Sequence, residues 1–146
     1  FSERERNPDD GKCILVACRS DDNMSRTTAK IEGVTGFSPS ADQVDLKVYL
    51  SELLSVRSQH PALYAGKRTQ LKKSGNLYAE LKTAGDDKVL YVLNAGTTDT
   101  TYTVASSAIG GTTDLTNLMT GSMVALADSQ YQITVPALSG LLLSVK

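Results

Sequence analysis

The side chains able to do chemistry are few and widely spaced in this 146-residue chain. A single histidine, His60, excludes a multi-histidine metal centre and leaves only a Ser-His pair as a nucleophilic arrangement. Its place beside Pro61, at the end of a predicted helix, favours capping and packing instead. Acid and base work by carboxylates needs two of them facing one another across a substrate. Glu52 and Glu80 stand isolated on a predicted helix surface and strand, and Asp86 and Asp87 fall in a predicted hairpin turn, so no catalytic residue is assigned. Asp9 and Asp10 before Gly11, with Asp21, Asp22 and Asn23, supply oxygen donors of the kind calcium takes. The six-residue run between them, CILVAC, would hold its ends about 17 Å apart as a strand, and the spacing fits no EF-hand. Solvated turns are therefore expected, and no cofactor or metal is assigned, calcium being the ion these donors would suit. Aromatic faces offer a further chemistry, stacking on sugar rings. The chain has no Trp and six Tyr, of which Tyr78 and Tyr91 lie on neighbouring predicted strands and are the candidates for sugar contact. Such tyrosines more often belong to a core or an interface.

Composition narrows the partners. Fifteen basic against 16 acidic residues give a net charge of −1 without a basic run, which argues against nucleic acid. No apolar stretch approaches the roughly 18 residues of a bilayer-spanning helix. Cys13 and Cys18, five apart, would point to opposite faces of a regular strand, so no disulfide is expected between them. The compartment is left open.

These side chains must be positioned by two kinds of element. Residues 37–65 read as one long amphipathic helix and its exit. Ser38 caps it with Pro39 at the first helical position, or Ser40 caps it with Gln43 as the reciprocal partner; either way the helix begins near Pro39. Leu46, Tyr49, Leu50, Leu53 and Leu54 repeat at helical spacing, widened by Val44 and Val48, and Pro61 stops propagation. After Gly66 the period changes to alternation. Strands are expected over 67–71, 76–82, 88–93, 100–105, 123–127, 131–135 and 140–145, with turns at 83–87 and 95–99 and a loop at 109–112. Short strands at close spacing predict a mainly β fold, an antiparallel β-sandwich of Greek-key type, over 66–146. Residues 1–36 form a segment of unclear identity.

The runs LLSVRSQHPALYAGKRTQL, NLYAELKTAGDDKVLYVLNAG, DLTNLMTGSMVAL and ITVPALSGLLLSV, in that order, resemble the end of an α-amylase superfamily glycoside hydrolase of the cyclomaltodextrinase and neopullulanase type. The preceding EGVTGFSPSADQ is similar to the loop before the last barrel helix in such enzymes. The likeness covers roughly residues 33 to 146 and does not extend to 1–30. It implies that 37–65 is the last helix of a catalytic (β/α) barrel and 66–146 the C-terminal β domain behind it. The family's catalytic carboxylates, which must stand about 5 Å apart for retention, sit on earlier barrel strands. A barrel needs about 250 residues, so none is accommodated here and no catalytic residue is carried over.

The implied function is that of a C-terminal structural domain of an α-glucan-active hydrolase, bracing the barrel without being catalytic. Its partner would be α-glucan through the parent enzyme, and any enzyme activity belongs to the whole. The helix's apolar face must then be covered by the sandwich, by the N-terminal segment or by another molecule, and self-association through it is the consequence to look for. The alternative is a free-standing carbohydrate-binding or adaptor β domain. The sequence begins at Phe1 rather than Met, so fragment and stand-alone protein both stay open.

Overall fold

The computed structural model describes residues 38–146. The chain divides into two units, Phe1–Val44 and Asp45–Lys146, the division falling within the first described helix. The acidic cluster Asp9, Asp10, Asp21, Asp22 and Asn23, and both cysteines, lie outside the described residues.

Helix α1 is Ala41–Gln59. Its start settles the choice of cap. The Gln43 N–H donates to Ser40 Oγ at 3.4 Å while the Ser40 N–H donates to Gln43 Oε1 at 2.9 Å, a reciprocal capping box that leaves Pro39 outside the helix. No residue of α1 is buried, and Val44, Leu46, Val48, Tyr49, Leu50 and Leu54 are all exposed. The helix stops at Gln59 because His60, before a proline, takes an extended conformation, and Pro61 then opens a single helical turn, α2 (Pro61–Tyr64).

Nine strands follow: β1 Lys67–Ser74, β2 Leu77–Ala84, β3 Asp87–Asn94, β4 Thr100–Ala105, β5 Leu115–Asn117, β6 Met123–Val124, β7 Leu126–Ala127, β8 Gln130–Val135 and β9 Ser139–Ser144, with a short helix α3 (Ser106–Ile109) between β4 and β5. They form a six-stranded sheet, β1-β2-β3-β9-β5-β6, and a three-stranded sheet, β4-β8-β7, and every pairing is antiparallel. This is the predicted sandwich. The inner faces supply the core: Ala79, Leu81, Leu90 and Val92 from one sheet meet Tyr102, Val104, Ile133 and Val135 from the other. Alternation explains the three-stranded side, where β8 reads exposed-buried throughout.

Three expectations need correction. Residues 123–127 are two strands, not one: β6 belongs to the large sheet and β7 to the small one, with the chain crossing between layers at Ala125. The turn at 83–87 contracts to Gly85 and Asp86, because β2 and β3 pair as far as Ala84 with Asp87. Ile109 is the buried end of α3 rather than loop, the helix closing on Gly110 in the left-handed conformation that favours glycine. Strand β5 carried no sequence signal because it has three residues.

Buried Asn94 ties the layers. Its Nδ2 donates to the carbonyls of Thr98 at 2.8 Å, Pro136 at 3.1 Å and Val135 at 3.2 Å, while Oδ1 accepts the Gly96 N–H at 2.9 Å. One amide thus fixes both crossings, β3 to β4 and β8 to β9.

Candidate functional site

The outer face of the six-stranded sheet gathers the polar side chains that could matter. Cross-strand register places them: Glu80 lies opposite Tyr91, Tyr78 opposite Leu93, Lys82 opposite Val89, and Arg68 opposite Lys82. Directly opposed residues of an antiparallel pair share a face, and Ala79 and Leu81 occupy the other one, in the core.

Glu80 is the centre of this group. It is only 4% exposed. Oε2 accepts hydrogen bonds from Tyr78 OH at 2.7 Å and Arg68 Nε at 2.9 Å, Arg68 Nη2 stands 2.8 Å from the same oxygen, and Lys82 Nζ lies 3.6 Å from Oε1. Burial pushes the carboxyl up, but the bonds from Tyr78 and Arg68 and the charges of Arg68 and Lys82 prevail and hold it below the usual carboxylate range. A carboxylate so engaged is an ionised structural anchor, not a proton donor. Tyr91, half-buried beside it, has its phenol raised by burial and by the Glu80 charge. A Cβ built on Gly140 would stand 3.1 Å from Tyr91 Cε2, so the ring lies across that glycine, filling the space a side chain would take.

The second cluster joins helix to sheet. Asp87, on the same outer face, accepts from His60 Nδ1 at 2.9 Å through Oδ1 and from the Ala62 N–H at 2.8 Å through Oδ2. With the carboxylate accepting, Nδ1 carries the proton. His60 has no side-chain cap bond to α2. Asp87 therefore caps the helical turn from a strand 25 residues downstream. Gly66 completes the join, because a Cβ there would collide with the Ala62 carbonyl oxygen.

The predicted sites are thereby located. Tyr78 and Tyr91 do share a face, diagonal to one another, with the Tyr78 hydroxyl bonded to Glu80 and one side of the Tyr91 ring set on Gly140. His60, expected to cap and pack at the helix end, makes no side-chain cap bond and instead bonds to Asp87, and Glu52 is exposed on α1. Glu80 and Asp87 are each committed to bonds of their own, so no facing acid and base are brought together among these residues. Among the described residues no group of three or more His, Cys, Asp or Glu could hold a metal ion, and no helix is long and apolar enough to cross a membrane. Sequence reasoning missed the roles of Arg68 and Asp87. The alternation of Tyr78, Glu80 and Lys82 was the available signal for the first; nothing local marked the second.

No protein-family model matches the chain, and no curated sequence does. Solved structures do. AmyP in complex with maltose shares 31% identity over 82% of this chain with a TM-score of 0.76, and AmyP in complex with maltotriose shares 30% over 81% with a TM-score of 0.75. The fold is that of the C-terminal region of α-amylase-family enzymes. The α-amylase of Geobacillus thermoleovorans, complexed with acarbose, has the same fold at 14% identity, TM-score 0.67, over 75% of this chain and 24% of its own. A debranching enzyme from Nostoc punctiforme aligns at 27% identity over 64% of this chain and 20% of its own, TM-score 0.55. The chain spans 24% of AmyP. Its likeness to the α-amylase family therefore concerns a quarter of such an enzyme.

Proposed function

We propose that this chain serves as the non-catalytic C-terminal part of an α-glucan-active glycoside hydrolase, where it braces the catalytic barrel. The observation that carries the reading is the likeness to AmyP, at 30–31% identity over 81–82% of this chain while spanning 24% of that enzyme. Two features of the fold support it. Helix α1 carries six exposed large apolar residues along its length, as a helix does when its partner is another part of a larger protein. Each carboxylate on the described sheet face is engaged in a structural bond, so the chain contributes anchoring rather than acid-base chemistry.

The test is the intact mass of the protein from its native source, with α-glucan hydrolysis assayed on the same fraction. A mass well above 15.6 kDa together with hydrolysis is the expected result. A matching mass without hydrolysis would overturn the reading in favour of a free-standing β domain.

A further inference from the structure

Strand β1, at the edge of the large sheet, changes face part-way along. As far as Gln70 its alternation is regular, with Thr69 opposite core residue Leu81 and Gln70 opposite outward Glu80. The register then passes over Leu71, so that Lys72 lies opposite Ala79 and Ser74 opposite Leu77, a β-bulge. Ala79 belongs to the core and Leu77 packs against it, so the bulge turns Lys72 and Ser74 to the inner side of the sheet. Unbroken alternation would have put both outside. An inward charge on an edge strand can guard that edge against pairing with another chain, and a bulge can also aim a side chain into a site. What surrounds Lys72 decides between them.

Lys72 and Ser74 line a cleft of about 340 Å³ at the end of the sandwich where β1 and β3 finish and β2 and β4 begin. Thr100 enters it from the inner side of the small sheet, opposite core residue Val135, and Asn76 and Thr98 enter from the connections. The walls are tied together. The Ala95 N–H donates to the Asn76 carbonyl at 2.8 Å, joining the β1–β2 turn to the β3–β4 connection, and Gly96 is held by Asn94 Oδ1 and by the Leu138 N–H. A Cβ on Gly96 would stand 3.0 Å from Asn94 Oδ1 and 3.1 Å from Asn76 Nδ2, so the bare glycine leaves the Asn76 amide its room. The lining thus offers one cation, three hydroxyls and an amide, with no carboxylate and no aromatic ring. Among the described residues Lys72 enters no ion pair. Asp99, close by in sequence, is committed to the Ala137 N–H at 3.0 Å.

A single lysine among neutral donors suits an anion with several acceptor oxygens, and the missing aromatic face leaves a neutral sugar ring nothing to stack on. We propose that this cleft binds a phosphate group, Lys72 supplying the charge and Ser74, Asn76, Thr98 and Thr100 donating hydrogen bonds to its oxygens. The volume exceeds that of a bare phosphate and lies within the ~300–1,000 Å³ of small-molecule sites, so it admits a phosphorylated monosaccharide. Binding there needs neither a barrel nor catalytic carboxylates and stands apart from the function proposed above.

The experiment titrates the full chain with inorganic phosphate, glucose 6-phosphate and glucose, following the amide resonances of Asn76, Gly96 and Thr98 by NMR. Lys72→Gln and Lys73→Gln are compared with the natural sequence, each checked for native circular dichroism and urea midpoint. Lys73 is the control because it lies opposite Tyr78, on the outer face of the same strand, and carries the same charge. Expected are saturable shifts with the phosphates and none with glucose, weakened about tenfold or more by Lys72→Gln and unchanged by Lys73→Gln. Tighter binding of glucose 6-phosphate assigns the site to a phosphate ester, and equal binding assigns it to free phosphate; both uphold the anion site. No shift at millimolar phosphate overturns it and leaves Lys72 as a guard of the sheet edge. Equal weakening by the two substitutions overturns it in favour of diffuse attraction to a basic strand. Shifts of the same size with glucose overturn it in favour of a neutral sugar.

Discussion

Replacing Asp87 with alanine should loosen the join between helix and sheet by an amount the structure fixes. Two bonds are lost, one to the Ala62 N–H at 2.8 Å and one to His60 Nδ1 at 2.9 Å. Ala62 is 1% exposed, so its N–H has no water to turn to, and an unpaired buried donor costs about 1–3 kcal/mol. The His60 contact is about one-fifth exposed on each side, at 22% and 23%, and adds no more than about 1 kcal/mol. The sum is about 1–4 kcal/mol, a large part of the ~5–15 kcal/mol that holds a domain together. With an m-value of about 1.5 kcal/mol/M, the urea midpoint should fall by about 0.7–2.7 M. Asp87→Asn keeps an acceptor for the Ala62 N–H and loses the charge, so it should cost about 1 kcal/mol. Far-UV circular dichroism against urea measures both, and hydrogen exchange at the Ala62 amide locates the effect. An Asp87→Ala midpoint unchanged, with Ala62 exchange as slow as before, would refute the capping role.

Further perturbations probe other parts of the molecule. Because the Glu80 carboxyl titrates below its unfolded value of about 4.3, its stabilisation is present above that pH and disappears as pH falls through the native value. The natural sequence should accordingly lose its stability advantage over Glu80→Gln between about pH 5 and 3, read from urea midpoints across that range. Gly66→Ala should cost about 1–3 kcal/mol, since its Cβ meets backbone that cannot yield; thermal unfolding checks it. Asp128 and Ser129 both take positive φ, 49° and 61°, in the two-residue β7–β8 turn. Asp128→Asn with Ser129→Gly should therefore stabilise the fold by about 0.5–1 kcal/mol, seen as a raised Tm.

What the sequence revealed followed from how local each determinant is. The Ser40 and Gln43 capping pair is contained in four residues, and the strands announce themselves through alternation, so β2, β3, β4 and β8 lie within two residues of their expected bounds. The proline rule misled at Pro39, which can open a helix but here precedes the cap that forms both bonds. The single strand expected at 123–127 fails because a switch of sheets at Ala125 changes partners without changing residue type. The chemistry was less legible than the fold. Glu80 reads as an ordinary strand glutamate until the register sets Arg68 beside it, and Asp87 reads as a turn residue until the fold returns it to His60, 27 positions away. Both roles are tertiary, and no window of sequence contains them.

Strand β9 lies between β3 and β5 in the middle of the large sheet, although it follows every other described strand in the chain. A ribosome that has produced everything through Leu138 has therefore produced a sheet with a gap at its centre, the β3 ladder open along one side. Closure must wait until Ser139–Ser144 has cleared the exit tunnel, and it then joins residues made long before. Until then the half-built layer is most exposed to aggregation and most in need of a chaperone.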